Sequence, residues 1–344
     1  MSHDGGPTMN DVARVAGVSL KTVSNVINGY QYLRPETKAR VEAAIHDLGY
    51  RVNQTARNLR RGHTGMIGLA LPELSLSYFA ELADAVIQAA DEAGLTVLIE
   101  QTGATRDREL QALRGARREL TDGLILHPSA LGQDDVGELR VPYPLVLLGE
   151  RIFGGPVDHV TMANVKGARV ATECLIAHGH RHIAVLGGLK DAPMGPHVLR
   201  LQGYKEALAT AGIAFDPALV AEVDPWHRDT GAQAMRRLLD SPASFDAVFA
   251  MNDATAIGAL HMLYERRIDV PDSIAVVGFD NVSDAAYSFP PLSTIDPGRD
   301  QIARTAVKLL LDRMEHPSDC RPTTVVADFN LIERASTEAT PAQA

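Results

Sequence analysis

Residues 8–29 have the sequence TMNDVARVAGVSLKTVSNVING, which predicts two short helices joined by a tight turn. Thr8 and Asp11 have the spacing of a capping box, so the first helix should begin after Thr8. Gly17 can end that helix because a left-handed conformation costs glycine little. Ser19 is a favourable N-cap for a second helix over residues 20–27. The stretch is therefore a candidate helix-turn-helix.

The second helix should bury one face, formed by Val18, Val23 and Ile27. The side chains left facing outward are those of Leu20, Lys21, Ser24, Asn25 and Asn28. Short polar side chains and a lysine suit contacts with base edges and phosphates. For this fragment alone, the solvated face of an ordinary helical hairpin remains an alternative.

The following residues predict two more helical segments. Pro35 suits the first turn of a third helix, which Gly49 should end. The apolar stripe of that helix comprises Val41, Ala44, Ile45 and Leu48. Residues 50–65, YRVNQTARNLRRGHTG, then predict a brief fourth helix that ends in an apolar wedge. This layout would let one helix enter a DNA major groove while another presses into the minor groove.

These segments closely resemble the LacI/GalR family of bacterial transcription regulators, from Thr8 to about Ile332. The resemblance is carried by the motifs DVA, AGVS and TVS of the first two helices and by ARNL at residues 56–59. It implies an all-α helix-turn-helix DNA-binding head at 8–52 and a hinge helix with linker at 53–65. It also implies an α/β, bilobed, periplasmic-binding-protein-like effector and dimerisation domain with two parallel sheets at 66–334.

The resemblance also assigns roles to residues of the head. Leu20 and Lys21 match positions that face bases. The positions that match contacts with the phosphate backbone are Thr8, Thr22, Ser24, Asn28 and Tyr50. Asn25 stands where the family commonly has arginine, so an adenine-directed or purely positional contact could replace a guanine-directed one. The docking mode is thus expected, whereas the operator sequence is left open.

The hinge helix is implied to begin at Asn53, to place Ala56 against the minor groove and to insert Leu59 at the central operator step. Inserting such a wedge costs a few kcal/mol, which the wider protein–DNA contact offsets. Val52 stands where proline is frequent in the family, which loosens the entry to this helix.

Charge is divided unevenly along the 344-residue chain, whose net charge is -10. Residues 1–65 carry nine Lys and Arg against five Asp and Glu, a net +4, whereas residues 66–344 carry 24 against 38, a net -14. A basic head and an acidic body would steer the head toward DNA phosphates.

Cysteine usage and hydropathy indicate a cytoplasmic protein without a membrane partner. The two cysteines, Cys174 and Cys320, provide no disulfide framework and fit a reducing compartment. No apolar run reaches membrane-spanning length, and the polar N-terminus lacks the apolar segment of a signal peptide.

From Met66 onward, apolar runs alternate with helical stretches. The first of these helices is predicted at 79–93. Strands are predicted at residues 66–71, 95–99, 123–126, 144–148, 183–186, 247–250 and 274–277. Such continuous apolar strands are typical of parallel sheets covered on both faces.

The family resemblance divides this region into two lobes. The N-lobe would comprise about 66–163 plus 296–324, and the C-lobe about 164–294 plus 325–334. The chain would then cross between the lobes near Asn164, Ile295 and Val326. The ends of the chain, 1–7 and 335–344, are predicted to be disordered tails.

Ligands of such folds bind at the carboxyl ends of the strands, between the lobes. The positions that match effector contacts of the family are Tyr78, Phe79, Glu150, Arg200, Trp226, Asn252 and Asp280. A guanidinium, an amide and a carboxylate can bind sugar hydroxyls, and an aromatic ring can stack on a pyranose. Plainer roles remain open: a surface ion pair for Arg200, core packing for Trp226 and a turn or cap for Asp280.

The expected function is a repressor that binds a pseudo-palindromic double-stranded DNA operator as a homodimer and responds to a mono- or disaccharide. A sugar-transport binding protein shares the bilobed fold, but the DNA-binding head opposes it. An α/β enzyme is opposed because the sequence shows no catalytic residues, cofactor loop or complete metal site. The histidines of residues 178–182, HGHRH, are explained by capping and surface packing, so no metal or cofactor is expected.

Overall fold

The computed structural model describes residues 7–27, 30, 32–50, 63–115, 119–189, 193–316 and 321–338. The chain divides into two compact units, Met1–Thr64 and Gly65–Ala344. A hydrophobic core of its own fills the first unit, and larger cores fill the second.

The head contains three helices: α1 (Met9–Ala16), α2 (Leu20–Ile27) and α3 (Pro35–Leu48). Thr8 and Asp11 form the predicted capping box. Gly17 and Gly49 adopt left-handed conformations after α1 and α3, with φ of 63° and 59°. The local signals in the sequence therefore set the helix ends.

Packing of the head differs from the prediction on one face of α2. Val23 is buried as expected, but its buried companion is Val26, and Val18 and Ile27 are only half-buried. The spacing i, i+3 and the spacing i, i+4 both keep a side chain near one face of a helix. In this two-turn helix the face toward α1 and α3 is centred between Val23 and Val26. The buried residues of the head core are Val12, Ala13, Ala16, Val23, Val26, Val41 and Ala44.

The second unit contains two six-stranded sheets. The first sheet has the order β11-β5-β4-β3-β1-β2, and all of its neighbouring strands are parallel. Its strands are β1 (Met66–Leu71), β2 (Thr96–Gln101), β3 (Gly123–Leu126), β4 (Leu145–Leu148), β5 (Asp158–Thr161) and β11 (Thr324–Val326).

The second sheet has the order β12-β10-β9-β8-β6-β7. Its strands are β6 (Ile183–Gly188), β7 (Val220–Glu222), β8 (Ala247–Ala250), β9 (Ala275–Phe279), β10 (Ser293–Asp296) and β12 (Asn330–Ile332). The edge strand β12 runs antiparallel to β10, and the other pairs are parallel. The predicted parallel architecture is confirmed, with one antiparallel edge strand added.

Helices cover the faces of both sheets. They are α4 (Ser77–Glu92), α5 (Arg106–Arg114), α6 (Asn164–Ala177), α7 (Pro196–Thr210), α8 (Arg228–Leu239), α9 (Asp253–Glu265), α10 (Ser283–Tyr287) and α11 (Arg299–Glu315). Short 3-10 helices span Gln133–Leu139 and Pro217–Leu219. In the second lobe α6 and α7 approach closely because Gly203 has no side chain. A Cβ there would lie 2.1 Å from the Val165 carbonyl oxygen.

The chain passes between the sheets after β5, after β10 and after β11. Two strands continue slightly beyond the predicted lobe boundaries of 294 and 324. Asp296 at the end of β10 pairs with Asn330, and Val326 at the end of β11 pairs with Thr161. Residues 295–296 thus belong to the second lobe and 325–326 to the first, because each strand stays hydrogen-bonded to its end.

The predicted disorder of residues 335–344 is wrong for 335–338. The Ser336 side chain is fully buried: its hydroxyl donates to the Val276 carbonyl at 2.6 Å and accepts from the Ser293 amide at 2.8 Å. Thr337 Oγ1 lies 2.6 Å from Ser293 Oγ. Because β12 returns antiparallel to β10, the residues that follow it run past β9 and β10 and satisfy their backbone groups. Residues 339–344 lie outside the described residues.

Among the described residues, no helix combines the length and apolar character needed to cross a membrane.

Replacing Ser336 with alanine should lower the free energy of unfolding of the effector domain. The change leaves the Ser293 amide without its acceptor in a buried site, which costs about 1–3 kcal/mol. Denaturant unfolding would measure it, with Ser273→Ala as the control because Ser273 is exposed. Equal stability of Ser336→Ala and the parent would contradict a structural role for this segment.

Candidate functional site

A cavity of about 470 Å³ lies between the two lobes, where the carboxyl ends of the strands of both sheets face it. The structure brings all seven predicted effector residues to its lining: Tyr78, Phe79, Glu150, Arg200, Trp226, Asn252 and Asp280. Three of them, Glu150, Asn252 and Asp280, lie one or two residues after a strand, which is where open α/β sheets place their binding residues.

Arg200 on α7 is the central charged group of the cavity, although only 3% of its surface is exposed. Its Nε donates to Asn164 Oδ1 at 2.7 Å, and its Nη1 donates to the Met251 carbonyl. The guanidinium carbon lies 3.6 Å from the centroid of the Phe279 ring. Arg200 Nη1 and Asp280 Oδ1 are 3.6 Å apart. The arginine is therefore held by a buried network and not by a surface carboxylate.

Asp280 follows β9 and is almost fully buried. Burial raises the pKa of its carboxyl to about 7, while the positive charges of Arg200 and Arg299 oppose that rise and Glu150 adds to it. Helix α10 begins after Val282 without a side-chain cap, so Asp280 is not a helix cap. Its backbone φ of 118° is rare for a residue with a side chain. A non-glycine residue in such a conformation at a cleft is typical of a functional position.

Asn252 and Trp226 shape the second-lobe wall together. Asn252 Oδ1 accepts from the Thr255 amide at 2.9 Å and caps α9, while its Nδ2 donates to the Trp226 carbonyl at 3.2 Å. Trp226 is half-buried, and its indole N–H donates to the Gly187 carbonyl at 3.2 Å. The packing role considered for Trp226 therefore goes together with its place at the cavity, and Asn252 has a capping role that the sequence analysis did not assign.

The first-lobe wall carries aromatic rings and a carboxylate. Phe79 packs edge to face on Tyr78 at 5.3 Å and on His127 at 5.1 Å between ring centroids. Glu150 Oε1 accepts from Thr161 Oγ1 at 3.0 Å and from the Met162 amide at 3.2 Å. Within the described part of the chain, neither the Tyr78 hydroxyl nor Glu150 Oε2 has a hydrogen-bond partner. Both residues line the cavity.

Sequence reasoning missed further lining residues, namely His127, Ser129, Arg151, His197 and Asp224. His127 and Ser129 come directly after β3, and Asp224 comes soon after β7, so a search of every strand end would have found these three. His197 stands three positions before Arg200 on α7. Burial lowers the pKa of His127, whose Nδ1 has no partner among the described residues.

Several contacts join the lobes around the cavity. His227 Nε2 lies 2.7 Å from Glu73 Oε1, and Ser283 donates to Glu81 Oε1 from its amide and its hydroxyl at 2.8 and 2.7 Å. Arg151 also donates to the carbonyl of residue 194 at 2.8 Å. The lobes are thus held together in this structure, with the cavity between them.

In the head, the residues predicted to bind DNA occupy different environments. Leu20 and Lys21 are exposed at the start of α2, and Thr8 is exposed at the N-cap of α1. Half-buried positions are occupied by Thr22, Ser24, Asn25 and Tyr50. Tyr50 packs against the head core, and Thr22 Oγ1 lies 2.9 Å from Ser19 Oγ.

Four predicted DNA-binding residues lie outside the described residues: Asn28, Asn53, Ala56 and Leu59. The hinge-helix prediction therefore rests on sequence alone.

Two known domain families match the chain. Residues 8–53 match "Bacterial regulatory proteins, lacI family", and residues 172–337 match "Periplasmic binding protein-like domain". These ranges cover the helical head and most of the second lobe with the C-terminal segment.

Known proteins match nearly the whole chain. The ribose operon repressor of Escherichia coli K12 is 33% identical over 313 residues, covering 90% of this chain and 94% of that protein. The solved complex of the regulator CelR with cellobiose is 33% identical, with a TM-score of 0.70, and covers 96% of this chain and 99% of that chain. The solved structure of the lac repressor dimer bound to operator and the anti-inducer ONPF is 27% identical, with a TM-score of 0.81. The match covers 97% of this chain and 100% of that chain. The chain therefore belongs to the LacI family of bacterial transcription regulators, which are DNA-binding proteins and not enzymes.

Proposed function

We propose that this regulator is a cytoplasmic repressor that binds a pseudo-palindromic operator as a homodimer, and that a neutral mono- or disaccharide in the cleft switches its operator affinity. The observation that carries the proposal is the convergence of the seven predicted effector residues on one cavity of about 470 Å³. That volume lies within the range of about 300–1,000 Å³ typical of small-molecule sites.

The chemistry of the cavity suits a polyol. A sugar hydroxyl both donates and accepts, so it can bind a guanidinium and a carboxylate at once. The cavity offers Arg200 and the Tyr78 hydroxyl as donors, and Asp280 and Glu150 Oε2 as acceptors. Trp226 supplies an aromatic surface on which the C–H face of a pyranose can pack. The ribose operon repressor and the cellobiose complex of CelR, both similar to this chain, are named for sugars.

Both lobes contribute hydrogen-bonding side chains to the cavity. This supports a switch of operator affinity by closure of the cleft between the lobes. A sugar that bridges Glu150 of the first lobe and Asp280 of the second adds to the contacts that already join the lobes. Such a sugar would bind the closed cleft more tightly than the open one. A ligand-driven switch requires this difference in affinity between the two states. A coupling free energy of about 1–3 kcal/mol would be enough for regulation.

Exposed aromatic side chains support the homodimer. Tyr264, Tyr287 and Phe289 of the second lobe are 72%, 89% and 84% exposed. Contiguous apolar patches, unlike single exposed side chains, are typical of interaction surfaces, and Tyr287 and Phe289 are only two residues apart. Pairing through the effector lobes would present two heads to two half-sites, as a pseudo-palindromic operator requires.

The exposed start of α2 supports its assignment as the helix that contacts base pairs. Replacing Lys21 with alanine should weaken binding to a selected operator by about 1–3 kcal/mol, because the contact of this side chain with a base pair is lost. Fluorescence titration with a labelled operator would measure the effect. Lys38→Ala is the matched control, since Lys38 is exposed on α3 near Glu42. Equal losses in both variants would indicate a general charge effect and contradict the assignment.

The effector site can be tested by thermal-shift screening with mono- and disaccharides, ribose and cellobiose among them, and with sugar phosphates and nucleobases. A ligand that binds only the folded state at a hundredfold excess over Kd should add about 2.7 kcal/mol of stability. Tyr78→Phe should weaken the response to the best sugar without destabilising the protein, since it removes a hydroxyl without a partner in the described structure. Arg200→Ala should abolish the response.

Circular dichroism reports whether the effector domain of each variant remains folded, and Arg236→Ala is the control because Arg236 is exposed and pairs with Glu265. A thermal shift equal to that of the parent in both Tyr78→Phe and Arg200→Ala would show that the sugar does not bind in this cavity. A response only to nucleobases or phosphates would keep the regulator and overturn the polyol assignment.

Effector affinity should depend on pH through Asp280. Its carboxyl, whose pKa is raised to about 7, is ionised above that pH and protonated below it. An ionised carboxylate forms the stronger hydrogen bond with a sugar hydroxyl. Affinity should therefore be constant at higher pH and fall by up to about tenfold per pH unit below the pKa. Calorimetry across this range should show the dependence in the parent and a flat profile in Asp280→Asn. The same profile in both would assign the titration to another group, such as His127.

A further inference from the structure

We propose that Cys174, His178 and Glu333 form a zinc-binding site on the second lobe, apart from the effector cleft. Cys174 lies in the last turn of α6, and His178 follows as the C-terminal cap of that helix. Glu333 comes directly after β12. None of the three lines the cavity between the lobes.

The geometry of the three side chains fits a tetrahedral metal. Their ligand atoms all lie within 4.8 Å of one another. Cys174 Sγ is 3.6 Å from Glu333 Oε2, and His178 Nε2 is 3.8 Å from the same oxygen. Bond lengths to zinc of about 2.0–2.3 Å place neighbouring tetrahedral ligands about 3.3–3.6 Å apart. The two separations that involve Glu333 are close to these values, and with all ligand atoms within 4.8 Å of one another, side-chain movements of about 1 Å would admit the ion.

The imidazole of His178 is already oriented as a metal ligand. Its Nδ1 lies 2.9 Å from the Cys174 carbonyl oxygen. A carbonyl oxygen can only accept, so Nδ1 carries the proton and donates it. In the neutral ring, Nε2 then has the free lone pair, and this is the nitrogen nearest to Glu333. Metal-binding histidines commonly use the other ring nitrogen in this way, because the hydrogen bond fixes both the tautomer and the ring.

The ligand types favour zinc. A thiolate, an imidazole and a carboxylate all bind Zn²⁺, whereas Mg²⁺ and Ca²⁺ prefer oxygen ligands alone. When the sulfur–zinc bond forms, the Cys174 thiol releases its proton to solvent, and the thiolate and the Glu333 carboxylate together balance the two positive charges. The His178 and Glu333 side chains are 32% and 41% exposed, so water can enter and occupy the fourth position.

The site differs from the one that the histidine-rich segment suggested. His180 and His182 face Asp246, with Nδ1 to carboxylate distances of 3.5 and 3.9 Å, and do not join His178. The relevant spacing is instead Cys174 to His178, four residues apart on one helix face. Glu333 reaches that face only through the antiparallel return of β12, so the sequence alone could not supply it. Bound zinc would tie α6 to the C-terminal segment.

The experiment titrates Zn²⁺ into the full chain after treatment with EDTA, in competition with a chromophoric chelator and without any sugar. We expect one tight zinc per chain. Cys174→Ser, His178→Ala and Glu333→Gln should each weaken zinc binding by at least about tenfold. His182→Ala and Cys320→Ser are matched controls and should bind zinc like the parent. With Co²⁺ as the probe, the parent should show a thiolate-to-metal absorption band that Cys174→Ser lacks.

Three results would overturn the site: no zinc bound above chelator competition, parental affinity in the three ligand variants, or an equal loss in the His182 control. The partly exposed positions of His178 and Glu333 allow both to be replaced without loss of folding, which circular dichroism would check. Because no sugar is present, the outcome is independent of the effector proposal.

Discussion

The desolvated charge of Arg200 is the constraint on which the binding cleft depends. A guanidinium that is taken out of water must be compensated by close hydrogen bonds and negative charge, and removing one partner of such a pair costs several kcal/mol. Its compensation comes from three parts of the fold: Asn164 at the start of α6, the Met251 carbonyl after β8, and Asp280 after β9. One side chain thus connects two strand ends with the first crossover between the lobes.

The lobes are built from discontinuous segments, and this explains how binding could act beyond the cleft. Asn164 begins the first segment of the second lobe, so the arginine network reaches the chain where it leaves the first sheet. Arg299, at the start of α11, donates to the Asp280 carbonyl at 3.2 Å and pairs with Glu81 at 2.8 Å. The second crossover is therefore also tied to the cavity. The first and second crossovers are thus both bonded to residues that line the cavity.

Much of this arrangement was predictable from sequence, and the remainder has physical reasons. Strands β1, β3 and β8 have the predicted bounds because each is a continuous apolar run. Strands β5 (DHVT) and β10 (STID) were missed because they are polar and form only beside neighbouring strands. The seven predicted residues of the cavity follow from the family resemblance, and three of them, Glu150, Asn252 and Asp280, also lie just after strands. His197 and Arg151 become neighbours of that set only through tertiary packing. The burial of Ser336 depends on the antiparallel return of β12, for which no local pattern exists.

The position of β11 and β12 near the end of the sequence affects the order in which the domains can fold during synthesis. Each sheet receives its last strand from residues 324–332, and the backbone partners supplied by 336–337 follow after that. The core of the head comes from contiguous residues before position 51. Because domains generally fold as units in the order in which the ribosome releases them, the head can form while both lobes are still incomplete. A chain released early would then keep a formed DNA-binding head without a finished sensor. Control by the effector therefore depends on residues 324–332 and 336–337, which the ribosome makes after all the other strands of both sheets.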